Sequence, residues 1–175
     1  MNINGKTRIY GIIGNPVTHS LSPAMHNAAF AVLDENRVYL PFRVERVSQA
    51  LTGLKGLNIG GASVTIPHKE AVIAELDEID PIAEKIGAVN TIVVTTRGEE
   101  KKLFGTNTDW IGSNRALEQK IELNGSRAVI LGAGGAARAS RARRPRKMEA
   151  GERDRRSPSM GTISGRFAKC LFTTE

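Results

Sequence analysis

RAVILGAGGAAR, residues 127–138, is the most informative stretch of the chain. Ala128–Leu131 is a short apolar run rich in β-branched side chains, long enough for one buried strand. Gly132, Ala133, Gly134, Gly135, Ala136 and Ala137 follow at once and fit G-x-G-x-x-G/A, with Ala137 in the last place. Gly132 permits a tight strand-to-helix turn, Gly134 lets backbone approach a pyrophosphate, and Ala137 allows close helix–strand packing. The amides opening the next helix would face phosphate. Gly132, Ala133, Gly134, Gly135 and Ala136 are therefore the expected cofactor-binding turn.

Downstream, the pattern stops. A nucleotide-binding half-sheet needs a helix that buries one face and a second strand that buries both. From Arg138 to Thr162 there is no Val, Ile, Leu, Phe, Tyr or Trp, and Pro145 ends any helix after about two turns. Residues 139–175 read as an aberrant, disordered basic tail. The change of character inside a motif resembles a shifted reading frame.

Charge sorts the same way. Residues 1–137 hold 14 basic and 14 acidic side chains, whereas residues 138–175 hold 11 and 4, so the tail carries the whole net charge of +7. Arg141, Arg143, Arg144, Arg146 and Lys147 have no aromatic among them on which a base could stack, and no specific nucleic-acid partner is expected. The single Cys170 excludes an intrachain disulfide. No apolar run approaches the roughly 20 residues of a membrane span, and residues 1–15 show no signal peptide. The expectation is a cytoplasmic protein with no membrane partner.

Upstream, apolar strands alternate with amphipathic helices. Arg8–Ile13, Val38–Val44, Ile59–Ile66 and Asn90–Thr95 read as strands, with Leu103–Thr106 pairing with the last across a polar loop. Ser22 is the expected N-cap of a helix with Pro23 in its first turn, burying Met25, Ala28, Ala29, Val32 and Leu33. Val47–Leu57, Lys69–Leu76 and Pro81–Ile86 read as helical. Thr108 or Asp109 caps a further helix through Ile121, with Trp110, Ile111, Leu117 and Ile121 on its buried side. The alternation predicts an α/β fold with a mostly parallel sheet flanked by helices, followed by the start of an incomplete Rossmann domain. The expected divisions are 1–107, 108–138 and the tail 139–175.

Small hydroxyl and amide side chains cluster at the predicted strand ends: Ser20 and Ser22, Ser63 and Thr65 ahead of Lys69, Asn90 and Thr91, then Asn107, Thr108 and Asp109. In open α/β sheets ligands sit outside the carboxyl ends of the strands, so these groups suit a small polyhydroxylated ligand. His19, His26 and His68 have no spacing for a metal set and read as packing or surface residues, with His68 at the pocket rim.

Ser20-Leu-Ser-Pro, Ser63-Val-Thr-Ile-Pro-His-Lys69, Gly87-Ala-Val-Asn90-Thr91, Gly105-Thr-Asn-Thr-Asp109 and Gly132-Ala-Gly-Gly-Ala-Ala137 occur here in the order seen in shikimate dehydrogenases. Over residues 8–138 the chain resembles that family. The resemblance implies NADPH-dependent reduction of 3-dehydroshikimate to shikimate, with no metal. It implies that Ser20 and Ser22 hold the substrate carboxylate, that Thr65, Asn90 and Asp109 contact ring hydroxyls, and that Lys69 and Asp109 are the catalytic pair. Ser63 stands where an asparagine is common, with a shorter reach. Near neighbours of this reading are quinate/shikimate dehydrogenase and a non-catalytic shikimate-binding remnant. The expected oligomeric state is monomer or homodimer.

Overall fold

The computed structural model describes residues 3–121, 127–142 and 169–173. The chain divides into two compact units, Met1–Asn107 and Thr108–Glu175.

The first unit is built on a six-stranded sheet in the order β2-β1-β3-β5-β6-β4. Its elements are β1 (Arg8–Gly14), α1 (Ser22–Val32), β2 (Arg37–Arg43), α2 (Val47–Gly56) and β3 (Gly61–Val64), then a 3₁₀ turn (Ala71–Glu75). There follow β4 (Glu78–Ile79), α3 (Pro81–Ile86), β5 (Thr91–Arg97) and β6 (Glu100–Thr106). β1 pairs in parallel with β2 and β3, as does β4 with β6, whereas β5 runs antiparallel to both β3 and β6. The antiparallel pair is a hairpin whose tight turn uses Gly98 at φ 64°, a left-handed conformation that glycine adopts without a Cβ clash. Lys69–Leu76, expected as helix, shortens to the 3₁₀ turn, and the two-residue β4 was not foreseen.

The main core lies on one side of this sheet, where Ile13, Val64, Ile92 and Leu103 pack with Leu51 and Leu54 of α2, Val72 and Ala83. A smaller cluster of Ile12, Val17 and Tyr39, with Tyr10 and Phe30 against it, forms separately. The ends of α3 follow the chemistry of its sequence. The Asp80 carboxylate accepts from the Ile82 amide at 2.6 Å, Pro81 follows, and Gly87 closes the helix in the left-handed region.

Helix α1 corrects the expected burial. Met25 is 61% exposed and Val32 86%, and Ala28, Ala29 and Leu33 are exposed too. The half-buried positions are Ser22, Pro23, His26, Asn27 and Phe30, a second stripe at the same helical spacing. β2 is an edge strand with unpaired backbone groups, and Asn27 satisfies them at Tyr39: the Tyr39 amide donates to Asn27 Oδ1 at 2.8 Å and Asn27 Nδ2 donates to the Tyr39 carbonyl at 2.9 Å. His26 stacks on the Tyr39 ring with centroids 4.3 Å apart. A residue that pairs an edge strand thus sets the helix's orientation in place of the aliphatic stripe. Ser22 is also not the cap. It is the first helical residue, and its amide donates to Ser20 Oγ at 3.3 Å.

The second unit contains α4 (Asp109–Glu118), β7 (Arg127–Leu131), α5 (Gly135–Arg141) and β8 (Lys169–Thr173). Of the expected buried side of α4, Trp110 is buried and Ile111 is exposed. Thr108 precedes α4 without a side-chain cap bond, and Asp109 is its first residue. β7 pairs antiparallel with β8, in register Arg127↔Thr173 to Leu131↔Lys169. Within the stretch 139–175, α5 runs on to Arg141 and Lys169–Thr173 forms β8. Cys170-Leu171-Phe172 supplies the apolar run that residues 138–162 lack. Residues 143–168 lie outside the described residues.

Candidate functional site

In the first unit the parallel strands β1 and β3 end where the antiparallel β5 begins and β6 ends, so four connections meet at one edge of the sheet. The connection after β1 carries Ser20 and Ser22. The Ser20 amide donates to the Val17 carbonyl at 3.1 Å, turning the chain so that the Ser20 hydroxyl meets the start of α1. This leaves two hydroxyls at a helix N-terminus, an electrostatic setting that favours an anion.

Ser63 and Thr65 stand at the end of β3, one on the strand and one just beyond. The Tyr39 hydroxyl donates to Ser63 Oγ at 2.7 Å. Burial pushes the Tyr39 phenol above its ordinary range, with the Ser63 contact partly offsetting this. The Thr65 amide donates to the Ile13 carbonyl at 3.0 Å, and the Asn15 amide to the Ile66 carbonyl at 2.9 Å, tying this loop to β1. Gly14 makes that approach possible: a Cβ there would lie 2.4 Å from Thr65 Cγ2.

Lys69 follows two residues after the cis Ile66–Pro67 bond. Its carbonyl accepts from the Val89 amide at 2.8 Å, which joins the Lys69 loop to the segment before β5. His68 is buried, with Nε2 2.8 Å from the Val44 carbonyl, so it anchors the Lys69 loop and does not stand at a rim. Asn90 is held from both sides: its amide donates to the Thr106 carbonyl at 3.1 Å and its carbonyl accepts from Val64 at 2.7 Å. Asn107 is buried, and its Nδ2 donates to the Ala88 carbonyl at 2.8 Å.

Ser20, Thr65, Lys69 and Asn90 thus belong to connections at one end of the first unit's sheet, with Ser22 opening α1 and Ser63 near the end of β3. Asp109 belongs to the second unit. Sequence reasoning missed Tyr39, whose hydroxyl arrives from a strand 24 positions away with no motif around it. Among the described residues no three His, Cys, Asp or Glu form a group that could hold a metal, and no helix is long and apolar enough to cross a membrane.

In the second unit, Gly132 has φ 121°, a conformation that L side chains rarely adopt, and it turns the chain out of β7. Gly134 precedes α5 in extended conformation, and a Cβ there would meet nothing within 4 Å. Ala137 is buried. The space at Gly134 leaves room for the close backbone approach that a glycine turn of this type allows.

These features define a class: an α/β domain with polar side chains gathered at one end of its sheet, followed by a strand, a glycine turn and a helix. Residues 12–92 match the shikimate dehydrogenase substrate binding domain. A shikimate dehydrogenase (NADP(+)) of Desulforamulus reducens is 53% identical over 141 residues, covering 78% of this chain and 47% of the relative. A crystal structure of shikimate dehydrogenase in complex with NADP+ superposes with TM-score 0.72 at 49% identity, covering 79% of this chain and 48% of the other. The Thermus thermophilus enzyme in complex with shikimate gives TM-score 0.68 at 40% identity, covering 76% and 50%. Over this shared stretch the chain is similar to shikimate dehydrogenases in sequence and in fold. It spans about half the length of the curated relatives it matches.

Proposed function

We propose that the first unit is a shikimate-binding domain and that residues 108–138 open an NADP-binding unit of a shikimate dehydrogenase. The observation that carries this reading is the meeting of the Ser20, Thr65, Lys69 and Asn90 loops at one end of the sheet, within a chain about 50% identical to relatives of that name. Their reaction, by the resemblance, is reduction of 3-dehydroshikimate to shikimate.

In this reading Ser20 and Ser22 hold the ligand carboxylate at the start of α1. Ser63, Thr65, Asn90 and Asp109 bind ring oxygens. When bound at Gly132, Ala133, Gly134, Gly135 and Ala136, NADPH supplies the hydride. Lys69 holds a proton at Nζ and gives it to the ketone oxygen as the carbon is reduced, so that the oxygen, still bonded to that carbon, becomes a neutral hydroxyl. By the resemblance, Asp109 is the second member of the catalytic pair. A cytoplasmic location and a monomer or homodimer accompany this reading.

A narrower reading applies to the 175-residue chain by itself. The described second unit offers a pyrophosphate turn and one antiparallel strand pair, whereas a dinucleotide is gripped along its length by a doubly wound half-sheet. We infer that this chain binds shikimate without turning it over. Calorimetric titration beside a steady-state assay tests both readings. The expected result is saturable shikimate binding, NADPH binding no tighter than about millimolar, ~4 kcal/mol, and no NADPH oxidation. Turnover above background would favour the full enzyme reading for this chain.

A further inference from the structure

Tyr39 is buried and held on three sides. Its backbone bonds with the Asn27 side chain, its ring stacks on His26, and the ring packs in one cluster with Ile12 and Val17. The hydroxyl at the far end of that ring meets Ser63 Oγ at 2.7 Å. Ser63 lies opposite Ile12 on β1 and Thr91 on β5, so its side chain shares their face of the sheet. Its neighbours Ala62 and Val64 turn the other way, into the main core, and Ser63 stays half-buried. A phenol is the more acidic donor and an aliphatic hydroxyl the better acceptor, which gives the bond its direction from Tyr39 to Ser63. A serine hydroxyl has one proton and two lone pairs. With one lone pair taken by a donor that is itself held, Ser63 keeps its proton for directions away from Tyr39. The bond it accepts also polarises its O–H into a stronger donor.

We propose that Tyr39 is a positioning residue that makes Ser63 a directed donor to a ring oxygen of the ligand. The proposal rests on the reading of Ser63 as a substrate contact. A serine hydroxyl by itself rotates, and can either donate or accept. Binding a ligand would have to stop that rotation. The bond from Tyr39 restricts it before the ligand arrives, so less ordering is left to oppose binding. An asparagine carries its donors in the fixed plane of its own amide. A serine in that place takes its direction from Tyr39, across two strand pairings.

The test uses the 175-residue chain with shikimate as the probe. Wild type, Tyr39→Phe, Ser63→Ala and the double variant are compared by calorimetric titration, beside their melting temperatures. Tyr39→Phe keeps the ring and removes only the donor. The expected result is shikimate binding weakened about fivefold in Tyr39→Phe and at least as much in Ser63→Ala. In the Ser63→Ala background, Tyr39→Phe should weaken binding no further. A merely structural role would lower melting temperature and weaken binding by the same factor in both backgrounds. Equal losses in the two backgrounds, or unchanged affinity in Tyr39→Phe, would overturn the proposal. A second readout needs no variant to fold: the NMR signal of carbon-labelled Tyr39 Cζ should shift when shikimate saturates the wild type, because the ligand strengthens the bond behind it. An unmoved Cζ signal at saturation would overturn the proposal as well. Failure of the wild type to bind shikimate overturns the substrate reading itself, and is seen before any variant is compared.

Discussion

The Tyr39 hydroxyl on β2 reaches past β1 to donate to Ser63 Oγ on β3, at 2.7 Å. Tyr39 is 4% exposed, with its ring stacked on His26 and its backbone held by Asn27. Once its oxygen has accepted from Tyr39, Ser63 has its own proton to direct elsewhere. A serine that is short for its place in the family motif thereby gains a fixed direction as a donor.

Removing that donor should be measurable at two pH values. Tyr39→Phe should cost about 1 kcal/mol at pH 7 in urea unfolding, the usual net worth of a buried hydrogen bond. Burial raises the Tyr39 phenol in the fold above its ordinary value of 10.0. Its contribution is therefore complete below that value and is lost as pH rises through the higher folded value. The wild type should lose more stability than Tyr39→Phe as pH rises above 10.0. Parallel curves for the two proteins would contradict the burial argument.

Asp77 gives the opposite sign at the acid end. Lys55 Nζ lies 2.8 Å from its Oδ2, and the Leu103 amide donates to the same oxygen at 2.6 Å. The Lys55 contact, then the Leu103 amide, hold its carboxyl below the ordinary value of 3.8. Stability from this group is present above that value and lost as pH falls through the lower folded value. Asp77→Asn should be less stable than wild type at pH 7, with the gap closing at low pH. Melting temperatures at about pH 7 and pH 2.5 check this.

Two glycines should respond in opposite directions to the same substitution. A Cβ on Gly11 would lie 2.4 Å from Phe42 Cε2 and 2.5 Å from the Leu40 carbonyl, so β1 and β2 would have to part. Gly11→Ala should destabilise by at least ~2 kcal/mol. Gly53 lies inside α2 with nothing within 4 Å of a built Cβ, and Gly53→Ala should stabilise by ~0.5–1 kcal/mol. Equilibrium unfolding of both variants is the check.

Much of the first unit was legible because its strands are short β-branched runs stopped by Gly and Pro, and each helix start carries a Pro or a small polar residue. The motif positions were legible for a related reason: hydroxyls, amides and a lysine just beyond apolar runs land at strand ends. The face of α1 was not legible, because two stripes share one period and the choice depended on Asn27 finding the bare edge of β2. The bond from Tyr39 to the Ser63 hydroxyl was hidden because strand order, not sequence spacing, brings the two together. β8 escaped notice because antiparallel pairing of Lys169–Thr173 with β7 joins segments lying on either side of residues 138–162, which hold no Val, Ile, Leu, Phe, Tyr or Trp.

The lysine role is tested where turnover is possible. In a chimaera that supplies the remaining length from a relative, Lys69→Ala should lower kcat by ~100-fold or more and leave KM nearly unchanged, as expected for loss of a general acid. Turnover at the parent rate would remove Lys69 from the chemistry.

The central claim, that the first unit holds a shikimate site in this chain, is tested most directly by calorimetric titration of the 175-residue protein with shikimate. The account predicts saturable one-site binding at millimolar affinity or tighter, ~4 kcal/mol or more, weakened when Ser20 and Asn90 are each replaced by alanine. A folded protein that gives no saturable heat up to about ten times that concentration, or equal binding in all three proteins, would contradict it.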